Sequence, residues 1–257
     1  MILRSALFGL EQFIIDPDRE YEKITKSLKG TIIKLGPSSK TYINVLDIRQ
    51  ESLEDNQQGY LATKINKIIG FFNLIFGKLQ EDEKAILEEK LILTYNKKGI
   101  TFEDKTLFKN GKFKTTEDMP ILEDLYKNLE GIMRIKMLPF ISGSMKFLNN
   151  HTNVKLDNQL IVGDIYELGE ENMKFGMFIF IELFWDKVKK DRTKKKAIYL
   201  DEIWQLIGIT SNKEVASFIY KIFKTIRKYG GSAVAITQDI SDLFSLEGGI
   251  YGKSIIN

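Results

Sequence analysis

Cysteine is absent from the 257 residues and histidine occurs once, at His151. The first absence excludes disulfides, thiolate metal sites and a cysteine nucleophile. The second excludes a histidine-rich zinc site and leaves little room for imidazole acid–base chemistry. His151 sits among Asn149, Asn150 and Asn153, the company of a loop histidine. Only four prolines and 19 glycines are present, so no low-complexity linker divides the chain. A long apolar run is missing too. The most apolar stretch, Phe175 to Trp185, is about half of the ~20 residues a spanning helix needs, and Glu182 interrupts it. The first residues, Met1 to Leu10, have neither the basic start nor the cleavage site of a signal peptide. The expectation is a cytoplasmic chain that meets a membrane only through partners. Charge of one sign is also scarce: 38 Lys+Arg against 35 Asp+Glu leave +3, so any polyanion site must be local.

What is present is ordinary for a globular protein: 43% apolar and 28% charged residues, in a length that suits one large domain or one domain with an insertion. Residues 2 to 10 read as the end of a helix without a start signal. Phe13-Ile14-Ile15-Asp16-Pro17 and Thr31 to Leu35 read as short strands, and Tyr42 to Ile48 as a third piece. Runs that are apolar on both faces suit a buried parallel sheet. From about 52 to 148 the period changes to that of helices, over Tyr60 to Phe76, Glu81 to Tyr95 and Ile121 to Leu129, and an all-α subdomain is expected there. After Asn149 strand and helix alternate again: strands at 160–165, 197–201 and 232–237, helices at 170–190 and 213–229. Such alternation predicts an α/β fold with a mostly parallel sheet flanked by helices, built from residues 1–51 and 149–257. Trp185 and Trp204 lie in apolar surroundings that mark core.

The sharpest motif is Ala197-Ile198-Tyr199-Leu200-Asp201-Glu202, an apolar run closed by two carboxylates. This is the Walker B arrangement. A buried strand fixes its terminal acids at the sheet edge where open α/β folds bind ligands. There the first acid can hold Mg²⁺ through water, and the second can polarise a water for attack on a phosphate. A strand that merely ends in two solvated acids reads the same way. One helix further on, Ala233 to Ile236 ends in Thr237-Gln238, polar groups that can touch a γ-phosphate or the attacking water, or that simply form a polar strand end. Asp16-Pro17-Asp18-Arg19-Glu20-Tyr21 also follows a strand and presents carboxylates to the same edge, or is a Pro-Asp turn. Arg227 lies in the last turn of its helix, ahead of Gly230-Gly231. A cation is favoured there by the helix dipole, and it could instead reach a phosphate of a neighbouring subunit. A basic run from Lys187 to Lys196 could meet DNA phosphates, but no aromatic residue interleaves its cations, as in a solvated loop. Gly248 to Ser254 imitates a phosphate-binding loop with three residues between Gly248 and Gly252 where four are required. The 257 residues thus contain no Gly-x4-Gly-Lys-Ser/Thr.

Taken together, Ile14 to Tyr21, the Asp-Glu-Ile-Trp at 201–204, and Arg227 to Gly231 followed by Thr237-Gln238-Asp239 resemble the conjugation and type IV secretion ATPases of the VirB4 (TraE/TrbE) type. These belong to the HerA/FtsK-like branch of RecA-type P-loop NTPases. The resemblance implies a RecA-like core with a small all-α subdomain, ATP and Mg²⁺ as cofactors, and a homo-oligomer. Partners would be other subunits of a secretion machine that moves DNA or protein and builds a pilus at the inner face of the membrane. By matching motifs, Asp201 serves Mg²⁺, Glu202 activates water, Gln238 senses the γ-phosphate, Arg227 contacts phosphate, and Asp16 and Thr237 line the nucleotide site. In such proteins the phosphate-binding strand and loop come one helix before the Ile-Ile-Asp-Pro strand. The resemblance therefore implies a shortened chain that is inactive alone. A non-catalytic assembly module and a nucleic-acid-binding protein using residues 187–196 are the alternatives.

Overall fold

The structure, a computed structural model, describes residues 1–50, 59–203 and 213–237. The chain divides into two compact units, Met1–Leu35 with Lys155–Asn257, and Gly36–Val154.

The first unit holds α1 (Ile2–Leu7), β1 (Glu11–Asp16), α2 (Glu22–Ser27), β2 (Thr31–Lys34), β3 (Leu160–Asp164), α3 (Gly169–Lys190), β4 (Lys196–Leu200), α4 (Lys213–Thr225) and β5 (Gly231–Ala235). The five strands form one sheet in the order β2-β3-β1-β4-β5, and every pairing is parallel. The sequence dictates this arrangement. Phe13, Ile14, Ile15, Ile161, Val162, Ile198, Tyr199 and Leu200 are all buried, so successive side chains on both sheet faces need cover. One face takes α3, whose Phe184 ring lies 5.3 Å from Phe13. The other gathers Ile14, Leu160, Val162, Ala197 and Tyr199, with Ile2, Tyr21, Leu28 and Ile32 packed against them. Gly163 allows the helix to come close, since a Cβ there would stand 2.6 Å from the Phe180 ring. α4 buries Ala216, Ile219 and Ile222, and Phe218 meets Phe178 at 5.9 Å. Its last turn tightens into a 3-10 turn, Ile226–Tyr229, and Gly230 ends it in the left-handed region at φ 71°.

The second unit carries helices Tyr60–Phe76 and Glu81–Lys97, followed by three short helices, Leu122–Tyr126, Gly131–Lys136 and Leu138–Ile141. Segment 52–148 lies inside this unit. Two local expectations are corrected here. Residues 42–48 form no strand, because the Asn44 side chain turns the backbone: its oxygen accepts from Leu46 N–H at 2.9 Å and its amide donates to Asp47 and to the Pro120 carbonyl. The helical segment is not purely α either. Phe108–Lys109 pairs antiparallel with Lys112–Phe113 around Asn110-Gly111, both at positive φ as a type I′ turn requires, with the two Phe rings 5.6 Å apart.

Candidate active site at the carboxyl edge of the sheet

Because all five strands run parallel, their carboxyl ends share one edge. The register then fixes which acids become neighbours. Asp16 lies opposite Asp164, Ile15 opposite Leu200, and Leu200 opposite Ala235. One residue further, the chain is still tied across: Ile236 N–H donates to Leu200 O at 2.9 Å and Ile203 N–H to Ile236 O at 3.4 Å. Asp16, Asp201, Glu202 and Thr237 therefore share the edge. Gln238 and Trp204 lie outside the described residues.

The Asp16 carboxylate is turned inward. It is buried, and its two oxygens accept from the backbone N–H of Glu20 and Tyr21, each at 3.0 Å. Burial raises its pKa, the two N–H donors oppose that, and the Asp164 charge adds to it. Asp16 thus holds its own loop in shape. With one donor on each oxygen it keeps one lone pair on each.

Asp201 is held by two donors. The Tyr21 hydroxyl donates to Oδ2 and the Glu202 N–H to Oδ1, both at 3.1 Å. Its pKa is raised by burial, against those two hydrogen bonds, and the charges of Glu202 and Glu20 push the same way as burial. Burial and the Asp201 carboxylate likewise raise the Tyr21 phenol. Glu202 is buried and sits at φ 51°. A non-glycine residue is uncommon there, and such strain concentrates at functional positions.

Asp164 and Arg19 also stand at this edge; sequence reasoning included Arg19 in segment 16–21 without giving it a role, and gave Asp164 none. Arg19, itself at φ 59°, donates from Nε to Asp164 Oδ2 at 2.7 Å and reaches Glu167 at 3.4 Å, with its guanidinium 4.9 Å from the centre of the Tyr166 ring. Asp164 also accepts from the Tyr166 N–H at 3.1 Å. The available signal was the one that found Asp16 and Asp201, an acid closing an apolar strand.

Arg227 is elsewhere. It precedes β5, whose Gly231 pairs with Lys196 at the start of β4, so Arg227 stands at the amino edge, opposite Asp201. The basic run comes to the same place: Lys190, Arg192, Lys194, Lys195, Arg227 and Lys228 are all exposed there. Lys196 pins the two loops together. Its buried ammonium donates to the carbonyls of Lys194 and Tyr229, each at 3.3 Å, and to that of Asp191.

The TraG P-loop domain family matches residues 107–257, more than half of the chain. The chain belongs to that family. The fold agrees: VirB4 of Thermoanaerobacter pseudethanolicus superposes with a TM-score of 0.86 at 26% identity, over 99% of this chain and 69% of that one. The conjugative coupling protein TrwB, in a sulphate complex, gives 0.55 at 11% identity, over 99% of this chain and 62% of that one. TrwB bound to the non-hydrolysable ATP analogue ADPNP gives 0.52 at 12% identity, over 99% and 63%. At such identity the coupling-protein match establishes the fold alone, and the chain spans under two thirds of that protein's length. No curated protein sequence matches the chain. The sheet of this TraG-family chain is thus the RecA-like sheet of the conjugation-type P-loop ATPases, as the motifs implied. Among the described residues no helix is long and apolar enough to cross a membrane.

Among the described residues the fit to Mg²⁺ runs through Asp201. No three Asp, Glu or His side chains among the described residues cluster to hold a metal ion. Asp201, with one donor on each oxygen, keeps a lone pair on each. That suits an ion carried by one carboxylate, water and substrate phosphates, the usual habit of Mg²⁺. For ATP itself the fit is half a site. Acids of the kind that can serve metal and water are present, while the sequence supplies no glycine-rich loop with its lysine to cradle phosphates.

Proposed function

We propose that this chain is the Walker B half of an ATPase motor domain in a conjugation or type IV secretion machine, with Mg-ATP as substrate. The observation that carries the reading is the pair Asp201–Glu202 at the carboxyl end of β4, one strand from Thr237, in a TraG-family sheet. Asp201 holds Mg²⁺ through water, and Glu202 takes the proton of the attacking water. Thr237 and Gln238 contact the γ-phosphate. Mg²⁺, when bound, offsets the charge that gathers on the phosphate oxygens.

The 257 residues carry no Gly-x4-Gly-Lys-Ser/Thr, so other groups must cradle the phosphates. β5 has no strand partner on its outer side among the described residues, and a parallel strand added there would end at the same carboxyl edge. Subunits associate head to tail. The amino edge with Arg227 and its neighbouring cations faces the acidic carboxyl edge of the next copy, so Arg227 acts on a neighbour's phosphate. The motor drives DNA or protein through the secretion machine from the inner face of the membrane, where other subunits hold it, and the basic amino edge also suits contact with DNA phosphates. The missing cradle favours a second reading, a non-catalytic assembly module with this fold.

Calorimetric titration of Mg-ATP into the 257-residue protein, and into a chain with a strand and phosphate loop fused ahead of Met1, tests the reading. The expected result is affinity no tighter than about millimolar for the first and micromolar affinity with turnover for the second. Equal weak binding by both, with no turnover, selects the assembly module.

A further inference from the structure

We infer that Tyr21 is a positioning residue for Asp201, and that the β1–α2 loop exists to deliver its hydroxyl. The inference rests on the reading of Asp201 as the metal-side carboxylate. Three observations carry it. The Tyr21 hydroxyl donates to Asp201 Oδ2 at 3.1 Å, across 180 residues of sequence. The Tyr21 N–H is held at 3.0 Å by Asp16, whose other oxygen takes the Glu20 N–H at 3.0 Å. The Tyr21 ring packs against the cluster of Ile14, Leu160, Val162, Ala197 and Tyr199. Backbone and ring are thus fixed independently, and the hydroxyl is a donor whose place is set before any ligand arrives.

Asp201 needs such a donor. It follows β4 directly and begins a turn in which Glu202 is forced to φ 51°. Among the described residues its own turn supplies one donor, the Glu202 N–H on Oδ1. One donor leaves a carboxylate able to swing about its bonds to the backbone. A second on the other oxygen selects a single rotamer, and that rotamer decides where the remaining lone pairs face. Asp16 then acts at one further remove, by holding the loop that carries Tyr21. This accounts for an acid of the motif whose oxygens are both occupied by backbone donors.

The test uses Tyr21→Phe, which removes one oxygen and keeps the ring in its cluster. In the 257-residue protein with labelled aspartate, three-bond couplings report the rotamer of Asp201, and Asp201→Asn identifies its signal. Wild type should show one rotamer, and Tyr21→Phe couplings averaged over the staggered wells. Mn²⁺ serves as the metal probe, through its broadening of the Asp201 carboxyl resonance. Spreading the carboxylate over three wells cuts the competent fraction to about a third, so half-broadening should need about threefold more Mn²⁺. Reverting the variant to tyrosine at this position must restore both readings. If Asp201 keeps one rotamer in Tyr21→Phe, the inference is overturned. If the couplings average while Mn²⁺ broadens Asp201 in neither protein, the inference stands and the metal reading of Asp201 falls.

Discussion

Arg19→Met isolates the charge pair that fastens the β1–α2 loop to the end of β3. Methionine keeps the length of the stem against Tyr166 and removes the guanidinium. The Asp164 side chain is 3% exposed and that of Arg19 27%. Breaking a fully buried pair costs about 3–5 kcal/mol, since an uncompensated charge is left in a low dielectric. Water reaches the Arg19 side, and Asp164 keeps its 3.1 Å bond from Tyr166 N–H, so the expected cost lies lower, about 2 kcal/mol. For a chain of this size that lowers Tm by about 4–8 °C. Adding Asp164→Asn removes the stranded charge and should return most of the loss, a coupling of about 1–2 kcal/mol in the double-mutant cycle. Urea denaturation of the four proteins at neutral pH and low salt measures it, through midpoints that shift while the slope stays constant. A single-mutant cost under about 0.5 kcal/mol, or strict additivity, would refute the claim that this pair is a buried clamp.

Asp201→Asn should raise Tm at neutral pH in the ligand-free protein, because burial and the charges of Glu202 and Glu20 oppose the ionised form. A carboxyl whose folded pKa is raised contributes stability below its unfolded pKa and loses it as pH rises through the folded one. The gain of the variant over wild type should therefore vanish in acid and grow toward neutrality; a gain largest in acid contradicts the assignment. Gly163→Ala places a methyl 2.6 Å from the Phe180 ring, which sits in a packed core and cannot yield freely. The expected loss is about 1–3 kcal/mol by urea melt, and an unchanged midpoint would show that α3 does not press on β3 there.

Much of this site was legible because burial on both faces leaves a plain mark on a strand. Phe13 to Asp16 and Ala197 to Asp201 are apolar runs that stop at an acid, and the parallel register makes those acids neighbours. The same mark stood at Leu160 to Asp164, but the run continues into Ile165, and the acid was absorbed into the strand. The partnership of Tyr21 with Asp201 had no local signal, since it crosses 180 residues and depends on register. The edge occupied by Arg227 could have been read: a residue just before a parallel strand lies at the amino edge, and Asp201, just after one, at the other. Asn110-Gly111 is a strong hairpin signal, but the strands it joins are only two residues each and lie between the helical runs at 81–95 and 121–129. The turn at Asn44 left a local signal, since Leu46 and Asp47 are its near partners, and only its bond to the Pro120 carbonyl is remote in sequence.

The central claim is that Glu202 polarises the attacking water at an edge whose phosphates are held by other residues. Its most direct test is Glu202→Gln in the chain carrying a fused strand and phosphate loop, with Mg-ATP binding and steady-state hydrolysis measured on the same preparation. Glutamine keeps the size of the side chain and loses the base. The account predicts ATP affinity within about twofold of wild type and turnover lower by about 10²-fold or more. Equal loss of binding and turnover, or turnover that survives, would contradict it.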